Sequence, residues 1–120
     1  MPRLGKLEAA VMDVLWSTGT PLTVRGVLER MPPQRDLAYT TVMTVLGNLL
    51  RKGMLEREPV GRAFSYRPTM TQHAAAAASL REVLEASGDP RSVLLHFAET
   101  ATEEESSVLR DALARRAEQR

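Results

Sequence analysis

Apolar residues recur at helical spacing three times in the first half of the chain, and the period then shortens to that of strands. Leu4, Leu7, Val11, Val14 and Leu15 share one helix face with Trp16 beside them, and Gly19 with Pro21 closes the segment. This predicts a first helix of about four turns. Thr23 is suited to cap a second, shorter helix, on which Val24, Val27, Leu28 and Met31 repeat at i, i+3, i+4 and i+7 before Pro32 and Pro33 end it. A third helix is predicted over Tyr39 to Lys52, with Val42, Val45, Leu46 and Leu49 as its buried stripe and Gly53 as its stop. Two short runs follow, Met54 to Glu58 and Ala63 to Arg67, joined by the turn segment Pro59-Val60-Gly61-Arg62. Three helices and a hairpin in this order are the layout of a winged helix-turn-helix.

The third helix carries the candidate chemistry. At about 100° per residue, Thr40, Thr44, Gly47, Asn48 and Arg51 lie opposite its apolar stripe. Exposed helix faces are usually polar, so this composition alone would describe an ordinary solvated surface. It also suits a DNA major groove, where Asn pairs with adenine, Arg with guanine, and Thr hydrogen-bonds or touches the thymine methyl. The hairpin shifts the balance. Phe64 and Tyr66 share one strand face and are expected to pack on the third helix, leaving Arg57, Arg62 and Arg67 to point outward. Arginines beside such a helix are placed to hold phosphates or enter a minor groove. The expectation is therefore that Thr40, Thr44 and Asn48 read bases, while Arg51, Arg57 and Arg62 hold the backbone.

Past Pro68 the chain changes style. Thr71 can cap an alanine-rich helix running to about Ser87, with Leu80, Val83 and Leu84 on one side. Gly88 suits its end, and Asp89-Pro90 starts a short helix bearing Val93, Leu94 and Phe97. Thr102-Glu103-Glu104-Glu105 forms a capping box for a last helix with Leu109, Ala112 and Leu113 as its stripe. The chain thus divides into a winged helix-turn-helix over residues 1–70 and a helical region over 71–120. The fold class is mostly α with a small β-hairpin wing. A region of about 50 residues is too small to bury its stripes without a staple or a partner. Leu80, Val83, Leu84, Val93, Leu94, Phe97, Leu109 and Leu113 are accordingly the candidates for a shared core in a homodimer. Stripes that folded back on the winged helix would give a monomer instead.

Composition narrows the functions. Residues 1–68 hold ten Lys/Arg against six Asp/Glu, a net +4, and residues 69–120 hold six against nine, a net −3. The basic half is the half with the candidate reading helix. The chain has no cysteine, hence no disulfide and no thiolate metal or redox site. His73 and His96 are too isolated for a metal pair, so no metal or other cofactor is expected. There is no nucleophile elbow, phosphate-binding glycine loop or metal-binding His spacing, and Glu103 to Glu105 read as a helix N-terminus favouring negative charge. No enzyme is expected. The basic Met1 to Lys6 is followed by a helix bearing Glu8 and Asp13, not by an apolar leader, and no apolar run is long enough to span a membrane. A cytoplasmic protein without stable membrane association is expected.

Several of these segments resemble a known family. Leu7-Glu8, Val11-Met12, Leu15-Trp16, Pro21-Leu22-Thr23, Ala38 to Leu46, Lys52-Gly53 and Gly61 to Pro68 are similar to the penicillinase-repressor (BlaI/MecI-type) family of bacterial regulators. The resemblance is most specific from Ala38 to Pro68 and thins after Met70. It implies a dimeric winged-helix repressor that sits on a dyad-symmetric DNA operator until it is inactivated by proteolysis. Control of a β-lactamase, and so antibiotic resistance, falls within what it implies, but many relatives regulate other operons. A copper-responsive relative would be expected to carry cysteines near its C-terminus. By the same likeness Thr41 and Met43 join the recognition positions with Tyr39 at the head of the helix, although some relatives carry a basic residue where Met43 stands. In this family a membrane-embedded sensor-protease pathway leads to a cut at an Asn-Phe bond. Alignment puts that bond between His96 and Phe97, so this chain has His where Asn is expected. Two other readings compete with the repressor: a winged helix that mediates protein contacts, and a repressor governed by a small ligand.

Overall fold

A computed structural model describes residues 1–120 and contains six α-helices and one antiparallel hairpin. The helices are α1 (Lys6–Thr18), α2 (Val24–Arg30), α3 (Tyr39–Arg51), α4 (Gln72–Ala86), α5 (Pro90–Thr100) and α6 (Glu103–Glu118), and the strands are β1 (Leu55–Val60) and β2 (Ala63–Pro68). The chain forms two compact units, Met1–Ala78 and Ser79–Arg120, and the division falls within α4. The first unit thus continues past Met70, and Ala75 of α4 is buried in it.

In the first unit each helix has a local cause. The Glu8 carboxylate accepts the Gly5 N–H at 2.9 Å and satisfies a donor left over at the start of α1. Thr23 caps α2, its hydroxyl accepting from Gly26 N–H at 3.1 Å. Pro33 then opens a single 3₁₀ turn, Pro33–Arg35, that leads into α3. Gly53 leaves α3 at φ +76°, a conformation that few other residues adopt without strain. The expected stripes meet in one core: Val11, Met12 and Leu15 from α1, Val24 and Val27 from α2, and Val42, Val45, Leu46 and Leu49 from α3. Met31, Met54, Leu55 and Tyr66 complete it. Trp16 stays half-buried against this core and donates its indole N–H to the Met70 carbonyl at 3.0 Å, which fastens the chain leaving β2 to α1.

The hairpin is tighter than the sequence led us to expect. Its strands run into Val60 and out from Ala63, so the loop is Gly61-Arg62 alone, with Gly61 at φ +62°. A glycine at the first central position of a two-residue loop matches the twist of the strands it joins. Leu22 adds one rung beside β2: its N–H donates to the Tyr66 carbonyl at 3.0 Å and its carbonyl accepts the Tyr66 N–H at 2.8 Å.

The second unit, taken by itself, holds the end of α4 with α5 and α6 and has no core, although all three helices are capped. Thr71 accepts from Ala74 N–H, Asp89 from Ser92 N–H and Thr102 from Glu105 N–H, while Glu105 returns a bond from the Thr102 N–H. No residue after Ala75 is buried.

Candidate DNA interface

Between α3 and the wing lies a cleft of about 780 Å³, all of it within the first unit. Its wall from α3 is Tyr39, Met43, Thr44, Gly47 and Arg51, its wall from the wing is Arg57, Arg62, Ala63, Phe64 and Tyr66, and Thr23, Val24 and Arg25 of the α2 region close it. Four arginines line this space and no carboxylate does. A low-dielectric concavity lined by one sign of charge concentrates counter-charge, here anions.

Strand register sets which side chains face the cleft. Arg57 stands opposite Tyr66 and Glu56 opposite Arg67. Phe64 lies diagonal to Arg57 on the same side, a separation that long and aromatic side chains can bridge. The Arg57 guanidinium indeed sits 3.9 Å from the centre of the Phe64 ring. On the reverse side Arg67 donates to Glu56 at 2.7 Å and lies 3.9 Å from Glu58. One wing expectation is therefore corrected. Phe64 does not bury against α3: it is 39% exposed and serves as a shelf for Arg57, while Tyr66 alone enters the core. Arg67 points outward as expected, but from the side of the ribbon opposite Arg57, where the glutamates stand.

On α3 the expected residues differ in how they are held. Thr44 donates its hydroxyl proton to the Thr40 carbonyl at 3.0 Å, so toward a partner it presents acceptor lone pairs and a methyl group. Asn48 accepts from Arg51 through its amide oxygen, which couples the two as one polar unit and leaves the Asn48 NH₂ to donate. Tyr39, Thr40, Met43, Thr44 and Arg51 are exposed, whereas Thr41 and Asn48 are half-buried. Thr40, Thr41 and Asn48 do not line the cleft. Sequence reasoning missed Arg25, whose guanidinium lies 5.6 Å from the Tyr39 ring centre. Its only sequence signal is a basic side chain at the start of α2, off the Val24, Val27 and Leu28 stripe.

The far end of α3 is tied down from α1. Lys52 Nζ donates to Glu8 Oε1 at 2.7 Å and to the Arg3 carbonyl at 2.9 Å. The Gly5 N–H and then the Lys52 ammonium hold the Glu8 carboxyl below its ordinary range.

In the second unit the expected apolar residues are unshielded. Leu80, Val83, Val93, Leu94, Phe97, Leu109 and Leu113 are all exposed, Leu80 by 66% and Phe97 by 49%, and Leu84 is half-buried. Leu95 and Val108, which the stripes did not include, are exposed as well. His96 and Phe97 lie inside α5. No group of three or more His, Asp or Glu side chains is placed to hold a metal ion, and no helix is long and apolar enough to cross a membrane.

A three-helix core with a polar outer helix, a basic cleft and a two-stranded wing makes this a winged-helix transcriptional regulator with a DNA-binding fold. The solution structure of the DNA-binding domain of the repressor BlaI matches at a TM-score of 0.53 and 27% identity, over 59% of this chain and 85% of that one. The profile of the penicillinase repressor family matches residues 4–115, and the chain belongs to that family. It is 44% identical over 117 residues to the transcriptional regulator BlaI of Mycobacterium tuberculosis, covering 95% of this chain and 85% of the relative. The family is one of transcriptional repressors, and the chain is not an enzyme.

Proposed function

We propose that the chain is a cytoplasmic, homodimeric repressor that holds a double-stranded DNA operator of dyad symmetry. The observation that carries this reading is the cleft: four arginines without a carboxylate, beside the outer face of α3. Thr40, Thr44 and Asn48 read base edges, with Tyr39, Thr41 and Met43 at the helix face. Arg51, Arg57 and Arg62, joined by Arg25, hold phosphates or a minor groove. Two copies associate through residues 71–120, whose apolar side chains have no cover within one chain. A symmetric pair of readers takes half-sites about 10 base pairs apart, centre to centre, or a multiple of that.

Repression ends by a cut between His96 and Phe97, delivered by a sensor-protease pathway as the family resemblance implies. That bond lies within the eleven-residue helix α5, so the segment must open locally before a protease can take it in extended form. Severing α6 from the helices before it would weaken the dimer and with it operator occupancy.

Fluorescence anisotropy on fragments from upstream of the chain's own gene, at two salt concentrations, tests the reading. Saturable, salt-sensitive binding supports the repressor, and no binding to any fragment favours a module for protein contacts. Mass spectrometry of the protein from cells actively transcribing the target tests the cut. Full-length chain alone would turn the account toward a bound ligand.

A further inference from the structure

Glycine in the interior of a helix destabilises it relative to alanine, so a helical glycine calls for a reason. The chain has two such residues, and they differ. On α2, a Cβ at Gly26 would meet Leu22 Cδ2 at 3.3 Å and Thr23 Oγ1 at 3.4 Å, so the close packing of the cap and the preceding chain accounts for it. On α3, a Cβ at Gly47 would meet only Arg51 Nη1, at 3.8 Å, an ordinary contact with the end of a flexible side chain. Nothing inside the molecule needs Gly47 to be a glycine. It lies near the centre of α3 in sequence. At about 100° per residue it also falls near the middle of the outer arc, between Thr40, Met43, Thr44 and Arg51. It forms part of the cleft wall as well.

We infer that Gly47 is the point of closest approach between α3 and a DNA duplex, where the missing side chain lets base-pair edges reach the helix backbone and so makes this position specificity-determining. The inference rests on α3 being the reading helix. The middle of a helix face is where a helix laid in a groove penetrates furthest, and a methyl group there meets the bases before its neighbours do. Met43 and Thr44 flank the gap with a thioether and a methyl group, so the surface around it is shaped to touch base edges and not only to attract phosphates.

Gly47→Ala separates this from every internal explanation, because the two measurements should move in opposite directions. Its thermal unfolding midpoint should rise by a few degrees. Its affinity for a duplex selected by the wild-type chain from a randomised pool should fall on the order of tenfold. Affinity for unselected duplex should hardly change, since that binding depends on phosphates. Gly47→Ser, with a side chain of similar bulk, should follow the alanine variant in its loss on the selected duplex. An alanine variant that melts lower than wild type, or that binds the selected duplex as tightly, overturns the inference. A wild-type chain that selects no duplex overturns the assignment of α3 itself, which is a distinct result.

Discussion

Replacing Leu109 tests whether residues 71–120 are covered by a second copy. Burying a fully exposed leucine is worth about 1.5–3 kcal/mol. Leu109 is 47% exposed, so covering what remains is worth roughly 1 kcal/mol per protomer, and symmetry doubles this to about 2 kcal/mol. Leu109→Ala should therefore weaken the dimer roughly 30-fold. Leu109→Asp adds the cost of removing a carboxylate from water, several kcal/mol per ion, and should leave monomers at micromolar concentration. Leu84 is already half-buried within one chain, so Leu84→Asp should act in the same direction with a smaller part due to lost apolar cover. Sedimentation velocity across a concentration series reads these shifts, with circular dichroism as the check that the helices persist. Operator binding should weaken in parallel, because one reader loses the effective concentration supplied by the other. An unaltered dimer in both aspartate variants would refute the interface.

Three further outcomes are expected. Asn48→Ala should cost about 1–3 kcal/mol on the selected operator and relax its preference at one base pair, whereas Arg62→Ala should weaken all sequences alike and lower the salt slope by about one; equal losses on specific and random DNA for Asn48→Ala would sink its base-reading role. Phe64→Ala removes the shelf beneath Arg57 and should lower DNA affinity by about 0.5–1 kcal/mol, with Phe64→Tyr retaining it; anisotropy showing no loss in the alanine variant would mean that the stack does not position Arg57 for DNA. The Glu8 carboxyl titrates lower in the folded chain than its ordinary 4.5, so its contribution to stability is present above that pH and is lost as pH falls through the lowered value. Urea unfolding at neutral and acid pH should accordingly show a smaller drop for Glu8→Gln than for wild type, and identical drops would count against the tie.

The helices were legible because each signal was local. Thr23, Thr71, Asp89 and Thr102 are caps in the structure, and the periodic stripes of the first half are its core. The wing was harder because alternation tells which residues share a face without telling which face meets α3. The two-residue loop places Glu56 directly opposite Arg67, and register of that kind is set by turn geometry. Phe64 shares a strand face with Tyr66 and was expected to pack with it, yet Tyr66 takes the buried place and leaves Phe64 at the rim. Arg25 lies fourteen positions before Tyr39, and only the packing of α2 beside α3 brings the two together.

The opposite charge of the wing's two faces bears on the encounter as well as the complex. Arg57 and Phe64 occupy one side of a ribbon a single layer thick, and Glu56 and Glu58, only partly offset by Arg67, leave the other side net negative. Near a polyanion such a ribbon experiences a torque: the arginine side is drawn in and the glutamate side is pushed away. At physiological salt these fields reach about 8 Å, so the molecule begins to turn the right way round before any side chain touches a base. Reversed collisions would bring carboxylates against phosphates and separate quickly. High salt should therefore slow productive capture twice over, once by weakening attraction and again by letting wrongly oriented encounters linger.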